Sequence, residues 1–381
     1  MLEKRHHEFR EKIRAFALEK IEPLAAELDL EQRFPHEHLK PLTEMGLMGM
    51  LIPKEYGGSP IDTISYSIAV EELSRACGST GIMIAAHNSL GTFPIIEFGT
   101  EQQRKKYLPR AAAGELIAFG LTEPEAGSDA GATKSYARKN GDHWILNGTK
   151  CFITSASHAF ATVATAKTTD DPKDTAITSY ILEKAWRGYA VGKKENKLGL
   201  RGSDTAFLHF DDLKVPDENR LGKVGDGFKQ MLITLDGGRI SIGAMALGLA
   251  QGALDCALKY ASERVQFGKP IAHQQAIQHT LADMATEIEA ARLMIYEASL
   301  MKDSGQRFSK LSAMCKLYSS EVGTRCAYKA IGILGGVGYN TGEYAAERIW
   351  RDVKLCEIGE GTSEIQRLVI AREMLRELEK K

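Results

Sequence analysis

A chain of 381 residues, 43% hydrophobic and 26% charged, has the balance of a soluble globular protein and the length of two or three domains. Its 49 basic and 50 acidic residues leave a net charge of −1, which excludes bulk electrostatic attraction to nucleic acid or anionic lipid. Cys77, Cys151, Cys256, Cys315, Cys326 and Cys356 form no Cys-x-x-Cys pair, so neither a disulfide frame nor a zinc site is expected, and no apolar run reads as long enough to span a bilayer.

From Leu2 to about Ala113 the sequence reads as helical. Phe9, Ile13, Phe16, Ala17 and Ile21 recur at threes and fours until Pro23 interrupts them. This charged, amphipathic start carries no secretory signal pattern. A second helix covers His38 to Met50 and breaks at Pro53 and Tyr56-Gly57-Gly58. Helical spacing resumes over Ser65–Ala76, Gly81–Phe98 and Glu101–Ala113. Strands do not alternate with helices here, so a parallel nucleotide-binding sheet is not expected.

Near Ala118 the period changes. Asn140-Gly141 and Asn147-Gly148 flank Trp144-Ile145-Leu146 and read as hairpin turns. Strands are expected at Thr162–Ala166, Thr178–Leu182, Tyr189–Gly192 and Ala206–Phe210. In the last, Ala206, Leu208 and Phe210 alternate with Phe207 and His209. The block reads as a small antiparallel barrel or sandwich.

After a loop at Leu221–Phe228 long helices return. Ile277, Leu281, Met284, Ile288, Ala291 and Ile295 repeat by fours and threes, as the seam of an antiparallel bundle does. Similar stripes at Met245–Tyr260 and Leu311–Leu334, with a helix after Thr362, bring the number to four. The expected fold is therefore α+β and multi-domain: an N-terminal helical domain (1–117), a middle β domain (118–225) and a C-terminal four-helix bundle (226–381).

Among residues able to carry chemistry, Glu360 stands out. It lies in a Gly-flanked turn ahead of a helix, and Ser363 with Gln366 fits a capping box that starts that helix. A carboxylate desolvated there becomes a base of raised pKa, although a turn that merely caps the last helix would use the same residues. Phe119 to Asp129 offers the hydroxyls of Thr122 and Ser128, three carboxylates and Gly127 without Walker or Rossmann spacing; a plain surface loop is the alternative. Lys150-Cys-Phe-Ile-Thr154 ends a strand with an aromatic and hydroxyls, suited to a flat cofactor or simply to the core. Arg264 could hold a phosphate or only complement a helix end. No Ser/His/Asp triad or metal-ligand cluster stands out.

Together these stretches resemble one family, the acyl-CoA dehydrogenases, along essentially the whole chain. The motifs are Leu121-Thr-Glu-Pro-Glu-Ala-Gly-Ser-Asp129, Leu235-Asp-Gly-Gly-Arg239, Glu263-Arg-Val-Gln-Phe-Gly268, Leu334-Gly-Gly-Val-Gly-Tyr339 and Glu360-Gly-Thr-Ser-Glu-Ile-Gln-Arg367. The resemblance implies FAD and an acyl-CoA thioester. FAD would contact Phe119, Leu121, Thr122, Gly127, Ser128, Phe152, Ile153 and Thr154. It would also meet Arg264, Phe267, Gln275, Gly335, Gly336, Thr362, Ser363 and Glu364, part of the set coming from a neighbouring subunit of a homotetramer. Ser128, Asp236, Arg239, Gly359 and Gly361 would touch the thioester, with Glu360 as the base that takes the α-proton while the β-hydrogen leaves as hydride to the flavin. One branch of the family carries the base on the residue before the Arg of the first bundle helix; here that residue is Gly238. An electron-transferring flavoprotein would take the electrons, in a bacterial cytoplasm or a mitochondrial matrix, with no membrane span and no nucleic acid.

This chain departs from the family pattern in places. Gly359 stands where straight-chain members commonly have Tyr, which points to a short branched or cyclic acyl group, with butyryl-CoA as the alternative. Phe152 replaces a common Trp, and Gly332 a Gln that reaches the ADP moiety. Gly81 occupies the place of an Arg found in glutaryl-type members, which argues against a dicarboxylic substrate. An oxidase and a non-catalytic relative that binds nucleic acid are the remaining readings. The absent extra domain speaks against the first, and the balanced charge with Glu360 against the second.

Overall fold

The computed structural model describes residues 2–168 and 176–379. Helices α1 (Lys4–Phe16), α2 (Ala25–Glu31) and α3 (His36–Glu44) lead into α4 (Thr63–Ala76), around which the N-terminal region is packed. The Asp62 carboxylate accepts from the Ser65 N–H at 2.7 Å and starts α4. Nearly all of α4 is buried, including Glu71 and Glu72. Those two carboxylates accept from Arg10, Arg14 and Arg292, at 2.9 Å for Arg10–Glu71 and 3.0 Å for Arg292–Glu71, so the first helix and the C-terminal helices share one buried ion network. Helix α5 (Gly78–Ala85) passes through a π turn at residues 86–92 into α6 (Phe93–Phe98), and α7 (Glu101–Ala112) opens with a Thr100/Gln103 capping box.

The strands are β1 (Ile117–Gly120), β2 (Tyr136–Asn140), β3 (His143–Thr154), β4 (Ala161–Lys167), β5 (Ile177–Glu183), β6 (Tyr189–Lys194), β7 (Thr205–Pro216) and β8 (Arg220–Leu221). They form one sheet in the order β6-β7-β3-β2-β4-β5-β8, with β1 also on β4. The path among the described residues runs open from β6 to β8, not closed as a barrel. It is not purely antiparallel either: β1 pairs parallel with β4, and so does Tyr136 of β2 with Lys167. Asn140-Gly141 is the β2–β3 turn, with Gly141 at φ 61°. Asn147-Gly148 is not a turn. It lies inside β3 at a register shift against β7, where a side chain at Gly148 would run into Ser135.

Helix α8 (Gly227–Glu263) runs 37 residues, followed by the small β9 (Val265–Gln266) and β10 (Lys269–Pro270) ribbon and by α9 (Gln275–Asp303). Helix α10 (Ser309–Leu334), the turn α11 (Gly336–Tyr339), α12 (Ala346–Val353) and α13 (Ser363–Leu378) complete the chain. By length and composition α8 could cross a membrane, which corrects the expectation drawn from sequence. Its most apolar stretch is 78% buried within the protein, because α4, α9 and α10 pack around it. Gly243 of α8 faces Cys315 and Lys316, and Gly323 of α10 faces Ala246, so α8 and α10 run in the same direction. Gly361 lies against Lys316 while Glu373 pairs with Arg307, so α13 runs opposite to α10.

Candidate active site

Helix α12 ends in a 3-10 turn at Lys354–Glu357, and the chain then turns sharply before α13. Glu360 has φ 55° and Gly361 φ 93°, two left-handed residues in succession. For glutamate that conformation costs on the order of 1 kcal/mol or more and persists only when the surroundings over-determine it. They do. Gln366 Nε2 donates to Gly361 O at 2.8 Å and Glu360 O at 3.2 Å, Lys316 Nζ to Gly361 O at 2.6 Å, and Ser320 Oγ to Cys356 O at 2.7 Å. The helix cap is Thr362, whose Oγ1 accepts from the Ile365 N–H at 3.3 Å. The expected Ser363/Gln366 capping box does not form: the cap falls one residue earlier, at Thr362, and Gln366 is occupied with the turn's carbonyls.

The turn brings the Glu360 carboxylate against the backbone of α8 at Gly238. A Cβ at Gly238 would overlap Glu360 Oε2 and touch Leu90 at 3.1 Å. Glu360 Oε2 is buried with no hydrogen-bond partner. Burial pushes the Glu360 carboxyl up to about 7, with Lys316 and Arg239 pulling the other way. Their hydrogen bonds go elsewhere: Lys316 to Gly361 O, and the buried Arg239 to Asp236, which also accepts from Ser309 Oγ at 2.5 Å. Asp236 and Arg239, which the spacing of Gly237-Gly238 would place at a helix start, lie well inside α8, which starts at Gly227. A Cβ at Gly359, next to Glu360, would stand in ordinary contact with Leu355, 3.5 Å from its carbonyl oxygen and 3.6 Å from its side chain.

A second group of predicted residues sits on the sheet. Phe119 and Leu121 are half-buried at the end of β1, Thr122 O accepts from the Cys151 N–H at 2.9 Å, and Gly127 and Ser128 are exposed. Beneath this loop lies a buried ion pair. Lys150 Nζ donates to Glu123 at 2.6 Å and to Leu121 O at 3.2 Å, while Glu123 accepts from the Thr133 hydroxyl and the Lys134 and Ser135 N–H groups. Those donors hold the Glu123 carboxyl down at about 2. Phe152 takes φ 58° at the β3 irregularity and stands 63% exposed, whereas the Ile153 side chain is in the core, so only its backbone is available to a ligand. Thr154 is half-buried beside Phe152.

The remaining predicted residues lie elsewhere. Arg264, Phe267 and Gln275 are exposed past the C-terminal end of α8, and Phe267 is 94% exposed. From Gly238 to Arg264 the α8 rise amounts to about 39 Å. Gly335 and Gly336, past the end of α10, are about 29 Å along that helix from Lys316, on the same far end. Thr362, Ser363 and Glu364 accompany Glu360 at the near end, the first half-buried, the second buried, the third exposed. One chain therefore gathers Glu360, Gly238, Asp236, Arg239 and Gly361 and leaves Arg264, Phe267, Gln275, Gly335 and Gly336 apart.

Sequence reading missed Lys316 and Ser320. Their signal was present: both fall on the buried side of α10 with Ser312, Ser319 and Gly323, where a lysine has no ordinary packing role. Gly81, by contrast, is packed so closely on Ser74 of α4 that no larger side chain fits without displacement.

Comparison with known proteins is consistent from end to end. Residues 3–115, 118–213 and 225–375 match the families described as acyl-CoA dehydrogenase N-terminal, middle and C-terminal domains. The mitochondrial short-chain specific acyl-CoA dehydrogenase of Mus musculus is 48% identical over 97% of this chain and 90% of its own. The butyryl-CoA dehydrogenase structure from Megasphaera elsdenii superposes with a TM-score of 0.95, at 41% identity over 98% of this chain and 99% of that one. An acyl-CoA dehydrogenase complexed with FAD from Bacillus anthracis gives 0.93, at 33% identity over 100% of this chain and 68% of that one.

Proposed function

The chain belongs to the acyl-CoA dehydrogenase family, and from that premise we propose that it dehydrogenates a short acyl-CoA to the 2-enoyl-CoA, with Glu360 as base and FAD as cofactor. The observation that carries this reading is Glu360 Oε2, buried and unpartnered against the bare backbone of Gly238. A carboxyl pushed to about 7 is deprotonated often enough near neutrality and basic enough to take a thioester α-proton. Arg239 and Lys316 keep the charged form accessible without being bonded to it. Asp236, Arg239, Ser128, Gly359 and Gly361 are the groups assigned to the thioester.

The chain's residues fit a flat ring cofactor. Phe152 is held in a left-handed conformation and left exposed, and Gly127 has nothing within 4 Å of its missing side chain. Phe119, Leu121, Thr122, Phe152, the Ile153 backbone and Thr154 would hold FAD from the sheet side, with Thr362, Ser363 and Glu364 from the Glu360 loop. When bound, FAD supplies the oxidant that accepts the β-hydrogen with its electron pair. Arg264, Phe267, Gln275, Gly335 and Gly336 lie too far along α8 and α10 to join them within one chain. We assign them to the cofactor of a neighbouring subunit, in a homotetramer. We also read an electron-transferring flavoprotein as the acceptor, a bacterial cytoplasm or mitochondrial matrix as the location, and the divisions at 117/118 and 225/226 as domain boundaries. Helices α8, α9, α10 and α13 are read as a four-helix bundle.

Gly359 favours a short branched or cyclic acyl group, since the position beside Glu360 carries no side chain. Anaerobic titration of the yellow enzyme with butyryl-, isobutyryl-, 2-methylbutyryl-, isovaleryl- and cyclohexanoyl-CoA tests both levels. Bleaching of the flavin band by any of them, lost in Glu360→Gln, supports the reaction; a clear preference for butyryl-CoA would discard the branched reading.

A further inference from the structure

We propose that Lys316 is a positioning residue for the reaction: its ammonium holds the Gly361 carbonyl and so keeps Glu360 turned against Gly238. The proposal rests on Glu360 being the base. Lys316 is fully buried, and its Nζ lies 2.6 Å from Gly361 O. An ammonium removed from water is costly unless its bonds compensate, and Leu or Met would fill the same seam of α10 without that cost. What the position uses is therefore the donor and the charge. The carbonyl it holds belongs to the residue directly after Glu360, within the pair of left-handed residues. Released, Glu360 at φ 55° would relax toward the right-handed region, and its carboxylate would leave the face of Gly238.

Gln366 donates to the same carbonyl from α13, so Lys316 is distinguished by its charge and by its approach from α10. The titratable and charged groups that face it are Glu360, Cys356 and Glu357 on the turn, Glu364 at the start of α13 and Arg239 on α8. Burial lowers the Lys316 ammonium to about 8, so it is mostly charged at and below the midpoint of the Glu360 titration. Its charge is also the largest influence opposing the rise at Glu360, so losing it moves Glu360 further up.

The test compares flavin-loaded wild type with Lys316→Met, Lys316→Gln, Lys316→Arg and Glu360→Gln, using butyryl-CoA and isobutyryl-CoA as probes. Melting temperature and flavin absorption report folding and loading. Lys316→Met is expected to lower kcat by about 10- to 100-fold with KM changed little, as a small misplacement of a reacting group does. Its acidic limb in kcat/KM is expected to move up by about one pH unit. Lys316→Gln recovers part of kcat but keeps the shifted limb, and Lys316→Arg keeps the limb of the wild type. Should Lys316→Met fail to fold, the Gln and Arg variants carry the same contrast. A folded, loaded Lys316→Met or Lys316→Gln with the kcat and acidic limb of the wild type, beside an inactive Glu360→Gln, overturns Lys316 alone. A Glu360→Gln enzyme as active as the wild type removes the base and takes Lys316 with it.

Discussion

The two ends of α8 are built on opposite terms. At the Glu360 end, two left-handed residues are held by Lys316, Gln366 and Ser320, and a carboxylate is sealed against Gly238. At the Arg264 end, Phe267 is almost wholly exposed, and Gly268, Gly335 and Gly336 meet nothing within 4 Å where a side chain would be. The near end is finished by its own chain. We read the far end as a surface offered to a neighbouring subunit, in keeping with the homotetramer proposed above. Activity and chain stability should therefore respond at the near end, and assembly at the far end.

The largest effect expected is at Glu360. Glu360→Gln should slow flavin reduction by about 10²- to 10⁴-fold, the range of a lost general base, in a stopped-flow reduction assay. In the wild type, kcat/KM should fall about tenfold per pH unit below about 7, because the base must be deprotonated. The stability sign is the reverse. The folded carboxyl titrates at about 7 against 4.5 ordinarily, so the folded chain binds more protons in that window and loses stability as pH rises through it. Glu360→Gln should accordingly melt above the wild type at pH 8 and alongside it at pH 4; equal melting at both would contradict the buried charge.

Next comes the support of the sheet loop. Lys150→Met strands Glu123 among neutral donors and should cost about 3 kcal/mol in urea denaturation, the scale of a broken buried pair. Thr362→Ala removes the α13 cap and should cost about 1 kcal/mol by the same measurement. The smallest effect on the chain itself belongs to the far end: Phe267→Ser should stay within about 0.5 kcal/mol. It should nonetheless shift sedimentation toward smaller species and shed flavin. A Phe267→Ser protein that assembles and holds flavin as the wild type does would erase the contrast between the ends.

Much of the fold was legible because local rules and packing agreed. The α9 stripe from Ile277 to Ile295 reads as a helix with one buried face and is one, with Met284, Ile288, Ala291 and Ile295 buried. Where they disagreed, sequence misled. Asn147-Gly148 has the residues of a tight turn, but Gly148 serves close packing against Ser135 within a long strand. Gly237-Gly238 looks like a helix boundary because glycine weakens helices; packing around α8 overrides that, and Gly238 is small for the sake of Glu360. The apolar stretch of α8 was passed over because its glycines and short side chains dilute the signal. Glu360 itself was visible from its flanking glycines. Lys316 was missed although its place on the apolar face of α10 carried a signal, and the far-end residues acquired meaning only through family resemblance.

The space between Gly238 and Glu360 holds one carboxylate. A glutamate grown from position 238 would enter the volume that Glu360 Oε2 already fills. Two unpaired carboxylates in one dry pocket repel, so one of them must take up a proton or leave. Glycine at one position thus leaves the carboxylate at the other free of a like-charged neighbour. A lineage that moves its base across this gap through a doubly equipped ancestor passes through an enzyme in which one carboxyl is protonated or turned away.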